Sequence, residues 1–67
     1  MRIAVDVMGG DNAPGAIIGG AIMALKEYGA EIYLVGLRDE IFKYLGEEYR
    51  NHQKVNIVEA SEIINAD

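Results

Sequence analysis

The sequence has no cysteine and no tryptophan, and only one histidine, one proline and one phenylalanine. Without cysteine there are no disulfides, thiolate metal sites or cysteine nucleophiles. A single imidazole, His52, leaves no histidine-rich metal cluster. Basic residues are also few: six Lys and Arg stand against eleven Asp and Glu, for a net charge of −5. The six are scattered with no adjacent pair, which argues against nucleic acid and against an anionic membrane surface as direct partners of this segment. Long apolar runs are missing as well. The longest uncharged stretch, Asn12 to Leu25, holds Pro14 and three glycines and is too short to cross a bilayer. Met1-Arg2 precedes only six residues before Gly9-Gly10, with Asp6 among them, so no secretory leader is read here. The lack of cysteine is compatible with a cytosolic protein.

What remains is a globular composition, with 51% of the 67 residues apolar and 25% charged. The apolar pattern changes period in a regular order. Ile3 to Met8 is a short, β-branched run of the kind expected of a strand buried on both faces, with the strand spanning residues 2–8. Asp11 or Asn12 is placed to cap a helix that takes Pro14 in its first turn. Ile18, Ile22 and Leu25 follow at helical spacing, with Ile17, Ala21, Ala24 and Tyr28, and Gly29 stops the helix. A second strand is expected over 31–36, a second helix from Asp39 to about Tyr49, and a third strand over 55–59. Ile41, Leu45 and Tyr49 form the second helix's apolar stripe, while Lys43, Glu47 and Glu48 face solvent. Gly46 leaves the end of that helix open by a turn. The order βαβαβ implies parallel strands with helical crossovers, with strand order 3-2-1 or 2-1-3. The first helix carries no charge from Ala13 to Leu25 and holds Gly19 and Gly20 inside it. Each glycine costs ~1 kcal/mol against alanine, so both are expected to permit close packing. A helix so apolar needs cover on more than its sheet side. Residues 1–67 are therefore expected to be the N-terminal part of one larger α/β domain.

Chemistry concentrates in Asp6-Val7-Met8-Gly9-Gly10-Asp11-Asn12-Ala13-Pro14, between a strand and a helix start. In open α/β sheets, ligands bind at the carboxyl ends of strands. Unpaired first-turn N–H groups and the helix dipole favour an anion there, and paired glycines admit close approach. The other reading is a tight structural turn with no ligand. Named phosphate motifs fail: Gly10 and Gly15 have Walker A spacing, but Ala16-Ile17 stands where Lys-Ser/Thr is required. The dinucleotide fingerprint is absent, and Met8 breaks an aspartyl-phosphate D-x-D pattern. Asp6, on the face of Ala4 and Met8, has three possible roles: accepting hydrogen bonds from the glycine turn, holding a cationic side chain, or binding a metal. Asp11 is a helix cap or the orienter of a catalytic group. Elsewhere, His52 reads as a solvated loop residue and Tyr28, Tyr33, Tyr44 and Tyr49 as packing residues. Arg2 is expected to pair with a carboxylate, and Arg38 to face the crevice after strand two.

The D-x-M-G-G-D-x-A-P run at Asp6, Met8, Gly9, Gly10, Asp11, Ala13 and Pro14 resembles the opening of the bacterial phosphate acyltransferases of phospholipid synthesis, the PlsX family. Agreement continues in Gly20-Ala21, Ala24-Leu25-Lys26-Glu27, Ile32-Tyr33-Leu34-Val35-Gly36 and Ile57 to Ile64; residues 37 to 54 match only as helix and loop. The resemblance implies an isocitrate/isopropylmalate dehydrogenase-like fold with three α/β/α layers. It also implies transfer of a fatty acyl group from acyl carrier protein to inorganic phosphate without a cofactor or metal. Family members are homodimers in the cytoplasm, attached peripherally to the inner face of the membrane. On this reading Asp6 and Asp11 serve catalysis, and Gly9, Gly10, Asn12 and Ala13 bind substrate or phosphate. The general acid, the membrane-contacting helices and the docking surface for the acidic carrier protein are expected outside residues 1–67. The segment alone is then inactive. The alternative is a noncatalytic α/β segment, or a small-ligand or anion-binding domain, that uses the Gly-Gly turn only structurally.

Overall fold

The computed structural model describes residues 1–8 and 14–59. In chain order the elements are β1 (Arg2–Asp6), α1 (Pro14–Tyr28), β2 (Glu31–Gly36), α2 (Arg38–Tyr44), α3 (Glu47–Arg50) and β3 (Val55–Glu59). The strands form one parallel sheet in the order β1-β2-β3, which settles the strand order as 3-2-1. Arg2 stands opposite Glu31 and Asp6 opposite Val35, while Ile32 meets Val55 and Gly36 meets Glu59. All three carboxyl ends therefore lie along one edge.

Two successive crossovers that step the same way across a sheet place their helices on the same face. The packing agrees: α1 and α2 touch each other and both touch β2. Ile18, Ala21 and Leu25 of α1 and Ile41 of α2 share one core with Ile32 and Leu34. Burial alternates along β2, with Ile32, Leu34 and Gly36 buried and Glu31, Tyr33 and Val35 half-buried. Leu34 lies at the centre and is 0% exposed. In the full-length protein, Leu34→Ala is expected to cost about 2–5 kcal/mol, seen as a lower urea midpoint at unchanged slope. A loss below about 1 kcal/mol would place the core elsewhere.

Several expectations change. β1 ends at Asp6 rather than residue 8, and it is not buried on both faces: Ala4 and Asp6 are exposed. The reason is that α1 and α2 cover the other face. On the uncovered face the side chains of Arg2 and Glu31 pair at 3.3 Å, the Tyr33 hydroxyl donates to Glu31, and Asn56 Nδ2 donates to the Ile32 carbonyl. Gly19 and Gly20 are exposed, and a Cβ at either would meet nothing within 4 Å among the described residues. They seat no close neighbour here. The helix expected over 39–49 is two helices, because Leu45 and Gly46 take extended backbone angles and glycine is a poor helix former. Leu45 still turns into the core at 3% exposure. Arg50 ties α3 back to α2, donating to the Phe42 carbonyl and lying 4.7 Å from the Phe42 ring centre.

The end of α1 follows the sequence closely. Gly29 has φ +66°, the left-handed conformation that glycine adopts without a steric penalty, and its N–H bonds the Leu25 carbonyl at 2.9 Å. Lys54 Nζ donates to the Gly29 carbonyl at 3.0 Å, placing a cation at the negative end of the helix dipole.

Candidate functional site

Three of the residues in the D-x-M-G-G-D-x-A-P run are described, and they frame the rest. Asp6 closes β1 at the carboxyl edge, Met8 leaves it, and Pro14 opens α1. Pro14 suits the first helical position, where its missing N–H has no intrahelical partner to lose. A strand end thus leads into a helix start across this motif, the junction at which α/β folds bind ligands. The expected substrate residues Gly9, Gly10, Asn12 and Ala13, and the expected orienter or cap Asp11, lie outside the described residues. So do Ala60 to Asp67.

Asp6 is exposed, and its Oδ1 accepts the Met8 backbone N–H at 3.0 Å. The carboxylate thus holds the exit from β1 one residue before the glycine pair. Among the described residues, no group of three His, Cys, Asp or Glu side chains could hold a metal ion. Met8 departs from the expectation that it shares a face with Ala4 and Asp6. The alternation of the strand lapses at Val7-Met8, and the Met8 side chain crosses to the helix-covered face over Gly36 and beside Ile41. Val7, buried at 1% exposure, keeps the ladder one step further by donating to the Val35 carbonyl at 2.9 Å.

On the same edge, Leu37, Arg38, Asp39, Glu40 and Glu59 line an open cleft of about 340 Å³. Arg38 does face this crevice, as expected. Its Nε, however, pairs with Glu59 Oε2 at 3.2 Å, and three carboxylates line the cleft beside it. The balance is negative, so the cleft is a poor seat for phosphate. Further along α2, Glu40 accepts from Lys43 Nζ at 3.0 Å. That hydrogen bond and the carboxylate charge hold the exposed Lys43 ammonium above its ordinary pKa.

Other candidates fall to structural roles. His52 is an exposed loop residue whose Nδ1 accepts from the Lys54 backbone. Tyr33 and Tyr49 are half-buried, but Tyr28 and Tyr44 are 69% and 49% exposed. Tyr28 is therefore not a core residue, whereas the Tyr44 ring covers Gly15, 3.1 Å from where a Cβ would stand. Sequence reading missed the Met8–Gly36 contact. The available signal was a glycine closing β2, beside a methionine leaving β1.

Comparison with known proteins extends past the motif. The family model described as fatty acid synthesis protein matches residues 1–67. A phosphate acyltransferase of Heliobacterium modesticaldum is 48% identical over 68 residues, covering 100% of this chain and 20% of that protein. One of Thermotoga neapolitana is 48% identical over 67 residues, covering 100% and 18%. One of Dictyoglomus turgidum is 45% identical over 64 residues, covering 96% and 19%. The chain thus spans about a fifth of the length of these curated relatives. The likeness runs through all three helices and all three strands, and the chain belongs to the fatty acid synthesis protein family.

Proposed function

We propose that this chain forms one wall of the active crevice of a phosphate acyltransferase, as the N-terminal part of a larger α/β domain. The enzyme moves a fatty acyl group from acyl carrier protein to inorganic phosphate for phospholipid synthesis. The observation that carries the proposal is the placement of the D-x-M-G-G-D-x-A-P run between the carboxyl end of β1 and the first turn of α1. In the reaction a phosphate oxygen attacks the thioester carbonyl carbon. The C–S bond breaks, the carrier thiol leaves with a proton, and acyl phosphate remains. Such chemistry needs a seat for phosphate and donors for the oxyanion that develops on the carbonyl oxygen.

Backbone N–H groups of Gly9, Gly10, Asn12 and Ala13 supply one or both of these, because a helix start presents donors to an anion. Asp6 and Asp11 carry the wrong charge to hold phosphate. Asp6 secures the exit from β1, and Asp11 orients a cationic side chain from elsewhere in the full-length protein. The general acid also comes from elsewhere in that protein. The enzyme works as a cytoplasmic homodimer at the inner membrane face, which it contacts through other segments. Among the described residues, no helix is long and apolar enough to cross a membrane. The test is to incubate the full-length protein with an acyl carrier protein thioester and phosphate. Phosphate-dependent acyl phosphate formation is expected; none, with the thioester intact, would leave the noncatalytic reading.

A further inference from the structure

Gly36 closes β2 and is buried, yet its backbone does not call for glycine. Among the described residues, only Gly29 has a positive φ. What a side chain at position 36 would meet first is Met8. A Cβ there would stand 2.9 Å from Met8 Cγ, and 3.6 Å from both Met8 Sδ and Ile41 Cδ1. Carbon atoms at rest sit roughly 3.5–4.0 Å apart, so the first distance forces Met8 to move while the others are ordinary contacts. Met8 thus rests on the bare backbone of Gly36, although it is itself 42% exposed. It is fixed along the chain as well. Its N–H bonds Asp6 Oδ1 at 3.0 Å, and the N–H of Val7 bonds the Val35 carbonyl at 2.9 Å. The last two residues before Gly9 are therefore held by the Asp6 carboxylate, the β2 ladder and the Gly36 seat.

The geometry points to Gly36 and Met8 as a positioning pair: the vacancy at 36 sets the height and direction at which the main chain leaves β1 for the Gly-Gly segment. Neither residue touches substrate. This inference rests on the proposed function, in which that segment lines the crevice. Misplacing reacting groups by about 1 Å can cost on the order of a hundredfold in rate, so a small shift of Met8 is enough to register.

A double-mutant cycle in the full-length enzyme tests it, with acyl phosphate formation and thermal melting read together. Gly36→Ala and Met8→Ala are each expected to lower kcat roughly tenfold. The melting temperature should move by less than about 4 °C. The double variant is expected to match Met8→Ala alone, because removing Cγ leaves the new Cβ nothing to strike. Effects that multiply, or single variants that both keep full kcat while Gly10→Val loses it, overturn the pairing and leave the crevice reading in place. Full turnover in Gly10→Val would remove the crevice reading and this inference with it. If Gly36→Ala fails to fold, recovery of folded protein by adding Met8→Ala, with the kcat of Met8→Ala, supports the pair. Continued failure assigns Gly36 to the packing of Ile41 and overturns it.

Discussion

Gly10→Val in the full-length enzyme is expected to lower acyl phosphate formation at least about a hundredfold, the size of effect seen when one oxyanion donor is lost. Fold and melting temperature should be retained. On the proposed function, a β-branched side chain at position 10 would stand where a ligand approaches the backbone, and it restricts the φ values open to glycine. Asp11→Asn separates charge from shape at the neighbouring position. An amide still caps a helix but does not orient a cation, so a roughly tenfold fall in turnover is expected with the fold intact. Normal turnover in both variants, with phosphate and the acyl carrier protein thioester supplied, would make the turn structural and the site assignment wrong.

Residues 1–67 expressed by themselves are expected to aggregate or to melt without a cooperative transition. Among the described residues, helices cover only one face of the sheet. Tyr33, Val35 and Val58 are half-buried on the other face, and Ala4 is exposed there. On the outside of α1, Gly19 and Gly20 are exposed and Met23 is 59% exposed. Domains of this size bury only about 60% of their unfolded surface and are marginal even with a complete core. With no disulfide to stabilise it, a one-sided sheet has little to offset the entropy of ordering. A sharp melt from a monodisperse monomer, with calorimetric and van't Hoff enthalpies equal, would contradict this.

The strands were legible where sequence pattern and burial agree. Ile32 and Leu34 face the core, and β2 and β3 begin and end at the expected residues. Gly29 was legible because only one backbone geometry ends a helix in this way with glycine. The break at Leu45-Gly46 was less legible. Ile41, Leu45 and Tyr49 keep the spacing of a continuous helix, and all three still pack on the core, Ile41 from α2, Tyr49 from α3 and Leu45 from the break between them. Gly19 and Gly20 show a different limit. A small residue permits a close neighbour but does not specify one, and the described residues bring none. The face taken by Met8 was out of reach for a further reason. Strand alternation predicts side-chain direction only while the strand lasts, and here it stops at Asp6.

The site was legible as a segment rather than as a set of roles. The order of strand end, glycine pair and Pro14 marked the junction, and the described flanks put β1 and α1 where the motif requires them. Asp6 was harder to read because a carboxylate at a strand end suits a turn, a cation or a metal. The hydrogen bond from Met8 adds a backbone contact that strand alternation does not foretell. Arg38 was expected in the crevice without its partner. Glu59 lies 21 residues away and meets it only because β3 pairs with β2.

The central claim is that the Gly9–Gly10 segment faces substrate, and glycine-selective amide NMR of the full-length protein tests it most directly. Phosphate and then acyl carrier protein thioester are titrated into ¹⁵N-glycine-labelled enzyme. Saturable shifts of the Gly9 and Gly10 amides are expected with at least one of the two. Gly19 and Gly20, exposed on the outer side of α1, serve as internal references and should stay in place. Saturable binding that leaves the Gly9 and Gly10 amides unmoved would contradict the account.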